Sequence, residues 1–225
     1  MKTKFLFIPI LLSLLITNCQ SNKESKNSDN EDKYIFFLHN KFLENNDSGT
    51  FSQDYGVKAE FNEILDSFRK DKFVIISEKR KPKTDAIDYA KRTVQQIDSL
   101  IKKGVKPNHI TIIGTSKGGY IAQYVSTIAK NQDLNFVIIG SYQDSDIEET
   151  PEIEFCVNIL TIYEKSDVFG VSALKRKRLS KLPIPHFKEI ELNTGLKHGF
   201  LYIASDEWLQ PCKMWAKRNY ELKPE

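Results

Sequence analysis

One short stretch constrains the backbone more than any other part of this chain. The apolar, β-branched run Ile110–Ile113 predicts a buried strand, and an amphipathic helical pattern begins at Lys117. Between them stands Gly114-Thr-Ser-Lys-Gly118. A strand that passes into a helix through so short a turn places Ser116 at its tip in a strained conformation, and the two glycines let strand and helix pass close together. The free N–H groups and positive dipole end of that helix would then face an anion at Ser116.

Glycine and serine also form phosphate-binding turns, so Gly114–Gly118 has two interpretations: a phosphate-binding turn or a turn that exposes a nucleophile. The surrounding sequence distinguishes between them. Phosphate-binding turns carry Gly-x-Gly-x-x-Gly or Gly-Lys-Ser/Thr, and neither pattern occurs in this chain. A strand before the motif and a helix after it are instead typical of a turn that exposes a nucleophilic serine. The sequence therefore predicts Ser116 as a nucleophile.

Apolar runs alternate with helical patterns from Tyr34 almost to the end of the chain. Continuous apolar strands are typical of a parallel sheet that is buried on both faces. We therefore expect an α/β fold: a three-layer sandwich with a mainly parallel, six-stranded sheet and helices on both faces. The predicted strands are Tyr34–Leu38, Phe73–Ile76, Ile110–Ile113, Asn135–Gly140, Cys156–Tyr163 and Phe187–Leu192; the predicted helices are Lys58–Lys70, Thr84–Gly104 with Thr84 as its cap, Lys117–Lys130, Val171–Ser180 and Phe200–Asn219.

The first residues show the pattern of an export signal. Lys2 and Lys4 precede an apolar core, Phe5–Ile16, which is shorter than the ~20 residues that a bilayer-spanning helix needs. The segment Gln20–Lys33 has no large apolar residue and cannot bury enough surface to fold. The predicted organisation is a signal peptide at 1–18, a disordered tether at 19–33 and one α/β domain at 34–225.

Cys19 lies where such a signal would be cleaved. The segment Leu15-Ile-Thr-Asn-Cys19 resembles the lipobox of bacterial lipoproteins, in which the cysteine becomes the lipidated first residue. The resemblance implies an exported protein that a lipid on Cys19 anchors to the membrane of the cell envelope; a plain secretory signal is the alternative. Loss of Lys2 and Lys4 would change the formal net charge from +3 to +1, a balance that does not indicate nucleic acid as a partner.

A serine hydroxyl needs a base that removes its proton, and the chain has four histidines. Functional residues of a parallel sheet gather at the carboxyl ends of its strands. His109 and His186 precede their predicted strands, so they lie at the opposite edge. His39 and His198 follow strands, and only His198 comes after Ser116, which is the chain order of serine and histidine in this architecture. His198 is therefore the predicted base.

The acid that orients the histidine should also follow a strand, between Ser116 and His198. Asp167 lies four residues beyond Tyr163, in a loop long enough to turn its carboxylate back over the sheet. Position alone leaves several carboxylates open, because loop acids are more often solvated than functional. The candidates are Asp144, Asp146, Glu164 and Asp167.

The chain resembles the α/β-hydrolase superfamily over nearly all of Tyr34–Asn219, and three segments carry the resemblance. They are Gly114-Thr-Ser-Lys-Gly118, Tyr163-Glu-Lys-Ser-Asp167 and Lys197-His-Gly-Phe200, the last of which is similar to compact members near dienelactone hydrolase. The resemblance implies Ser116 as nucleophile, Asp167 as acid and His198 as base, with no metal and no cofactor. The superfamily fold begins with two additional strands that have no counterpart here, so a trimmed version is expected.

In that superfamily, two backbone N–H groups stabilise the oxyanion. The residue after the nucleophile, here Lys117, supplies one of them. The second comes from a His-Gly-x turn after an early strand, and the corresponding residues are His39-Asn40-Lys41. Asparagine tolerates left-handed backbone better than most residues, so Lys41 N–H is the predicted second donor. His39 would shape this turn or simply pack within it.

Two loops at the active edge are candidates for substrate recognition. The first is Ser77–Thr84, which carries Lys79, Arg80, Lys81 and Lys83. Together with Lys117, these cations either attract an anionic ester or belong to a solvated loop. The second is Glu44–Gly56, a polar segment with Tyr55 and Phe51 that can form part of a substrate-facing wall. The sequence shows no large lid insertion of the kind that suggests a lipase, so we predict a small-molecule ester with a small or medium acyl group.

Two other functions stay open at this point. The same three residues can cleave an amide or a thioester. A non-catalytic surface lipoprotein can keep this scaffold in order to bind a glycan, a peptide or a partner. Asn40 in the oxyanion turn supports that second view, whereas the presence of all three catalytic residue types argues against it.

Cys156 and Cys212 remain if Cys19 is acylated. An exported protein can pair them in a disulfide, but each also falls in a predicted strand or helix, where a buried free thiol is equally expected. Both alternatives stay open.

Overall fold

The computed structural model describes residues 32–223, so the predicted signal peptide, Cys19 and almost all of the predicted tether lie outside the described residues. The strands of this region are β1 (Tyr34–Leu38), β2 (Phe51–Ser52), β3 (Val57–Lys58), β4 (Val74–Ile76), β5 (Ile110–Thr115), β6 (Asn135–Ile139), β7 (Asn158–Glu164) and β8 (Phe187–Leu192). Six of them form one sheet in the order β4-β1-β5-β6-β7-β8, in which neighbouring strands are parallel throughout, while β2 and β3 form a separate antiparallel pair.

Helices connect the strands. The α-helices of the described region are α1 (Phe61–Lys70), α2 (Ala86–Lys102), α3 (Lys117–Ala129), α4 (Asp146–Glu149), α5 (Leu174–Leu179) and α6 (Asp206–Ala216). Short 3₁₀ helices cover Phe42–Glu44, Pro107–His109 and Lys197–Tyr202. Within residues 32–223, no helix is both long enough and apolar enough to cross a membrane.

Both faces of the main sheet are covered by helices. Successive side chains of a strand point to opposite faces. In β1, Ile35 and Phe37 belong to one core cluster with side chains of α1 and α6, whereas Phe36 and Leu38 belong to another with side chains of α2 and α3. Every residue of β5 is buried, as expected for a central strand between two helix layers. The prediction of a three-layer α/β sandwich with a six-stranded sheet is confirmed.

The strand order determines where a ligand can bind. The chain runs from β1 outward to β4, returns to β5 on the other side of β1, and continues through β6, β7 and β8. Open parallel sheets bind ligands outside the carboxyl ends of their strands, where the order reverses, which here is between β1 and β5. Leu38 at the end of β1 pairs with Gly114 near the end of β5. The predicted oxyanion turn and the predicted nucleophile therefore follow neighbouring strands.

Helix boundaries differ from the predictions where a polar side chain caps the chain. Asp85, not the predicted Thr84, is the N-cap of α2, because its carboxylate accepts a hydrogen bond from the N–H three residues on, at 2.9 Å. The predicted closing helix Phe200–Asn219 is instead a 3₁₀ helix followed by α6, and Ser205 caps α6. Other elements start two or three residues later than predicted: Phe61 instead of Lys58, Leu174 instead of Val171, and Asn158 instead of Cys156.

The two remaining cysteines lie on opposite faces of the sheet. Cys156 belongs to the core cluster with α2 and α3, and Cys212 belongs to the cluster with α1 and α6. Both are buried free thiols, so the disulfide alternative is wrong. Burial raises the pKa of each thiol, which keeps both protonated and unreactive.

Candidate active site

The turn after β5 has the strained conformation that the sequence predicted. Ser116 has φ 51° and ψ −120°, which residues with a side chain rarely adopt, and it is the N-cap of α3. Its N–H donates to Ile139 O of β6 at 2.9 Å. A Cβ on Gly118 would overlap the Leu38 carbonyl of β1, and a Cβ on Gly114 would overlap the backbone of α3. Both glycines are therefore needed for the close approach of strand and helix.

Three side chains converge beyond the carboxyl ends of β5, β7 and β8. Ser116 Oγ lies 2.8 Å from His198 Nε2, and His198 Nδ1 lies 2.6 Å from Asp167 Oδ2. The other Asp167 oxygen accepts a hydrogen bond from Phe169 N–H at 2.9 Å. Asp167 and His198 are buried, with 5% and 7% of their surface exposed. The structure thus brings together the three residues that the sequence predicted as nucleophile, acid and base.

The two imidazole nitrogens of His198 have different roles in these contacts. When Nδ1–H of His198 donates to Asp167, Nε2 keeps a lone pair that points at the Ser116 hydroxyl. The imidazole can take the serine proton while the oxygen attacks a carbon, and the carboxylate can stabilise the imidazolium that forms. The arrangement therefore has the parts of an activated serine nucleophile.

The structure distinguishes between the carboxylates that the sequence left open. Of the four candidates, Asp167 is the one that hydrogen-bonds the histidine. Asp144 lies 3.6 Å from a surface lysine, and Asp146 accepts a hydrogen bond from a backbone N–H of its own turn at 2.9 Å. These two carboxylates have local structural partners away from Ser116.

Glu164, the fourth candidate, is fully buried and holds two loops of the site. One of its oxygens accepts hydrogen bonds from Ser166 N–H at 2.6 Å and from the Ser166 hydroxyl, and the other accepts from Thr194 and Gly195 N–H at 3.0 and 3.1 Å. Burial alone would raise the pKa of Glu164, but these hydrogen bonds lower it below its ordinary value. The carboxylate thereby ties the turn with the acid to the loop with the histidine. Its position at the end of a buried strand was the available sequence signal for this role.

The histidines excluded from the site lie where the sequence placed them. His109 ends the 3₁₀ helix before β5, and His186 precedes β8 and stacks on Tyr220 with ring centroids 4.0 Å apart. Within residues 32–223, no group of three or more His, Cys, Asp or Glu side chains is arranged to hold a metal ion.

His39 shapes the turn after β1. Its Nε2 accepts a hydrogen bond from Arg80 N–H at 2.8 Å, and its Nδ1–H donates to Asn40 O at 2.7 Å. Burial, together with the positive charge of Arg80, lowers the pKa of His39 to about 4. The imidazole is therefore neutral, and both of its nitrogens bind backbone groups of the turn.

Arg80 clamps the same turn from the loop after β4. Its guanidinium donates to His39 O and Asn40 O, and its Nε lies 3.2 Å from Glu44 Oε1. Lys117 Nζ lies 2.7 Å from the same carboxylate oxygen. Glu44 and Arg80 lie 36 residues apart, and no sequence pattern indicates this pairing. One buried carboxylate thus joins the predicted oxyanion turn to the residue after Ser116.

These contacts favour a structural role for the cations that the sequence considered for anion binding. Arg80 and Lys117 share Glu44, and Lys79 pairs with Asp47 at 2.5 Å. None of the three cations lines the cleft above Ser116 within the described part of the chain. The alternative of an anion-attracting loop is therefore not supported at these three positions, and the solvated-loop alternative is wrong for Arg80, which is buried.

The backbone N–H groups predicted as oxyanion donors belong to residues that follow the neighbouring strands β5 and β1. Lys117 is the first residue of α3, where N–H groups have no carbonyl partner inside the helix and the dipole is positive. Lys41 is the N-cap of a 3₁₀ helix, and it lines one cleft together with Ser116. Asn40 is not among the residues of 32–223 with positive φ, so the predicted left-handed turn is wrong. Its carboxamide oxygen instead accepts a hydrogen bond from Leu43 N–H at 3.3 Å.

A cleft of about 400 Å³ opens above Ser116. Tyr55 and Phe169 flank the His198 imidazole, with ring centroids 6.0 and 5.3 Å from it. The segment between β1 and α1 forms much of the wall, as predicted. Tyr55 lines the cleft, whereas Phe51 is exposed and is not among the described residues that line it, so its predicted placement is wrong. A substrate that reaches Ser116 would therefore meet aromatic rings next to the histidine.

Comparison with solved structures identifies the fold. The chain is similar to a variant of SOBER1 from Arabidopsis thaliana (16% identity, 82% of this chain and 98% of that chain, TM-score 0.52). It is also similar to MGS-M1, an α/β hydrolase enzyme from a Medee basin deep-sea metagenome library (12% identity, 85% and 86%, TM-score 0.54), and to an arylesterase (13% identity, 85% and 76%, TM-score 0.54). The fold is that of the α/β hydrolases. No protein-family model matches the sequence, and sequence comparison with curated proteins finds no similar one.

Proposed function

We propose that this protein is a serine hydrolase that cleaves carboxylic esters with a small or medium acyl group through an acyl-enzyme. The observation that carries the proposal is the continuous chain of hydrogen bonds from Ser116 through His198 to Asp167. A hydroxyl alone is a weak nucleophile, and a base that is itself oriented by a third group activates it. A fold shared with an α/β hydrolase enzyme and an arylesterase agrees with this chemistry.

The proposed reaction consists of two acyl transfers. Ser116 Oγ attacks the carbonyl carbon while His198 Nε2 takes its proton, and a tetrahedral oxyanion forms. When the oxyanion collapses, the bond to the leaving alcohol breaks and His198 returns the proton to the alcohol oxygen. Water then attacks the acyl-enzyme by the same route and releases a carboxylic acid and free Ser116. The net change converts ester and water into acid and alcohol.

Backbone groups would stabilise the oxyanion in both steps. Lys117 N–H and Lys41 N–H are the proposed donors, and donors fixed before the reaction stabilise developing charge without reorganisation. Arg80 and Glu44 hold the segments that carry these two donors. A cleft of about 400 Å³ has the size of a site for a small organic molecule, which supports a small or medium acyl group.

Hydrolysis of p-nitrophenyl acetate tests the proposal. We expect a burst of p-nitrophenol followed by steady turnover, because the acyl-enzyme accumulates. Ser116→Ala should lower kcat by at least about 10³-fold. Ser99→Ala is the matched control, since Ser99 is an exposed serine of α2 whose hydroxyl donates to Gln95 O. Equal activity of Ser116→Ala and wild type would contradict the proposal. A panel of esters, anilides and thioesters from acetyl to octanoyl then separates an esterase from an amidase or a thioesterase.

We also propose that the protein is exported and attached to the cell envelope by a lipid on Cys19. The support is the lipobox-like segment Leu15–Cys19 and the polar segment Gln20–Lys33 before the domain. Expression in bacteria with a labelled fatty acid tests this attachment. Wild type should incorporate the label and enter the detergent phase of a phase separation, Cys19→Ser should do neither, and Ser21→Ala should behave like wild type. An unlabelled wild-type protein would contradict the proposal.

A further inference from the structure

We infer that the ester cleaved at Ser116 belongs to a neutral, polyhydroxylated compound, such as an O-acylated sugar, whose hydroxylated portion lies against Asn45, Asp54, Tyr55 and Tyr202. This inference rests on the proposed function and concerns the substrate of the same site. Three properties of the cleft carry it: its charge, its unused hydrogen-bonding groups and its aromatic rings.

The charge of the cleft favours a neutral substrate. Apart from His198, the charged side chains among its described lining residues are Lys41 and Asp54, so the formal charges cancel. Lys117, the cation next to the nucleophile, is turned away to Glu44 at 2.7 Å. A site without net charge has no electrostatic preference for a carboxylate or an ammonium group.

The cleft also contains polar side chains that do not pair with other protein groups. Within residues 32–223, the side chains of Asn45 and Asp54 and the hydroxyls of Tyr55 and Tyr202 form no hydrogen bond and no ion pair. Burial raises the pKa of both tyrosines, so their hydroxyls remain protonated and can donate. An amide, a carboxylate and two phenols together offer several donors and acceptors in one cleft. Asn45 and Asp54 are exposed, so a compound with several hydroxyl groups can replace the hydrogen bonds that these side chains make to water, whereas an alkyl alcohol would displace water without replacing those bonds.

Aromatic rings supply the other surface that such a compound needs. Phe42 stacks on Tyr202 with ring centroids 5.0 Å apart, and Tyr55 meets Tyr202 edge-on at 5.5 Å. Phe169 lies at the rim with 52% of its surface exposed. A pyranose ring has C–H groups on its faces and hydroxyls at its edge, so it can contact a flat ring and polar groups at the same time. The alternation of rings and polar side chains matches that shape better than a continuous apolar wall would.

The segment that carries Asn45 and Asp54 is held in place before any ligand binds. Gly49 N–H donates to Ala59 O at 2.6 Å, and Ala59 N–H donates to Thr50 O at 2.9 Å. The β2-β3 pair closes the same segment. A wall that is already ordered avoids the entropy cost of ordering it on binding. Hydrogen bonds to the ligand therefore contribute more of their free energy to affinity.

Two primary acetates with six-membered rings test the inference: methyl 6-O-acetyl-glucopyranoside and cyclohexylmethyl acetate. The reacting ester is alike in both, and the ring hydroxyls are the main difference. We expect kcat/KM to be about tenfold or more higher for the sugar ester, the effect of one or two additional hydrogen bonds. A ratio of the two kcat/KM values at or below one overturns the inference.

Substitutions in the wall test which groups produce the ratio. Asn45→Ala and Asp54→Ala each remove an unpaired polar side chain, and each should lower the ratio by about threefold or more. Gln53→Ala is the matched control, because Gln53 is an exposed neighbour of Asp54 that does not line the cleft. It should keep the wild-type ratio. Unchanged ratios in both Asn45→Ala and Asp54→Ala would overturn the inference.

Labelling by a fluorophosphonate separates failure of this inference from failure of the proposed function. Suppose that Ser116 is labelled. If the sugar ester then has no advantage in kcat/KM, or if neither of the two esters is cleaved, the substrate inference fails alone. If Ser116 is not labelled and neither ester is cleaved, the proposed function fails and the inference with it. Binding can be measured apart from turnover by saturation-transfer NMR of methyl glucopyranoside with Ser116→Ala. Transfer to the sugar supports the inference, and its absence overturns it.

Discussion

Substitution of Glu44 by glutamine would leave a buried guanidinium and an ammonium group without the carboxylate that they share. Glu44 Oε1 lies 3.2 Å from Arg80 Nε and 2.7 Å from Lys117 Nζ, and the Glu44 and Arg80 side chains are at most 1% exposed. Removal of one partner of a buried ion pair costs about 3–5 kcal/mol, because the other charge stays buried and uncompensated. Arg80 keeps its hydrogen bonds to two carbonyls, so we expect Glu44→Gln to lower the free energy of unfolding by about 3 kcal/mol.

Urea unfolding followed by circular dichroism measures this loss. Asp66→Asn is the control, because the pair of Asp66 with Arg69 on α1 has the same kind of charges but is more than half exposed, and its loss should cost less than about 1 kcal/mol. The double variant Glu44→Leu/Arg80→Met leaves no unpaired charge at the Arg80 position, so it should be more stable than Glu44→Gln. A loss for Glu44→Gln no larger than that for Asp66→Asn would refute the reasoning about the buried pair.

Three further predictions concern the acid, the turn and the pH dependence. Asp167→Asn should lower kcat for p-nitrophenyl acetate by about 10⁴-fold, because an amide no longer selects the required histidine tautomer; a loss below about tenfold would argue against the assignment. Gly118→Ala should lower the free energy of unfolding by at least about 3 kcal/mol in urea titrations, because its Cβ meets the Leu38 carbonyl, whereas Gly104→Ala has open space at positive φ and should cost about 1 kcal/mol; similar losses would contradict this. Burial lowers the pKa of His39 from 6.5 to about 4, so between these values the unfolded state binds more protons and stability falls with falling pH. Between pH 7 and pH 4 this contribution is about 3 kcal/mol, and His39→Gln should remove it from the pH dependence of unfolding; an unchanged slope in that variant would show that His39 is not its source.

The main elements could be predicted from the sequence because each one buries a continuous face. The bounds of β1 and β8 agree with the predicted strands Tyr34–Leu38 and Phe187–Leu192. The β2-β3 pair could not be predicted, because two residues per strand are too few to show an alternating pattern. The start of α2 was displaced for a different reason: Thr84 and Asp85 are adjacent residues that both cap helices well, and only the backbone conformation decides between them.

The sequence predicted those residues of the candidate site whose position follows from the topology of the sheet. Ser116 and His198 follow from the edge of the sheet on which each lies and from their order in the chain. Asp167 needed the resemblance to a known superfamily, because other carboxylates share its edge. The role of Arg80 could not be predicted, since it stands in a run of cations that looks solvated. Its burial depends on Glu44 and on the turn after β1, which lie 36 and 41 residues away in the chain.

Mass spectrometry after incubation with a fluorophosphonate tests most directly whether the hydroxyl of Ser116 is activated by His198. The structure predicts one adduct per chain, located on the peptide that contains Ser116, and no adduct on Ser116→Ala. Labelling of His198→Gln should be slower by at least about 10³-fold, because the base is gone. An unlabelled wild-type protein, or an adduct that persists in Ser116→Ala, would contradict the account.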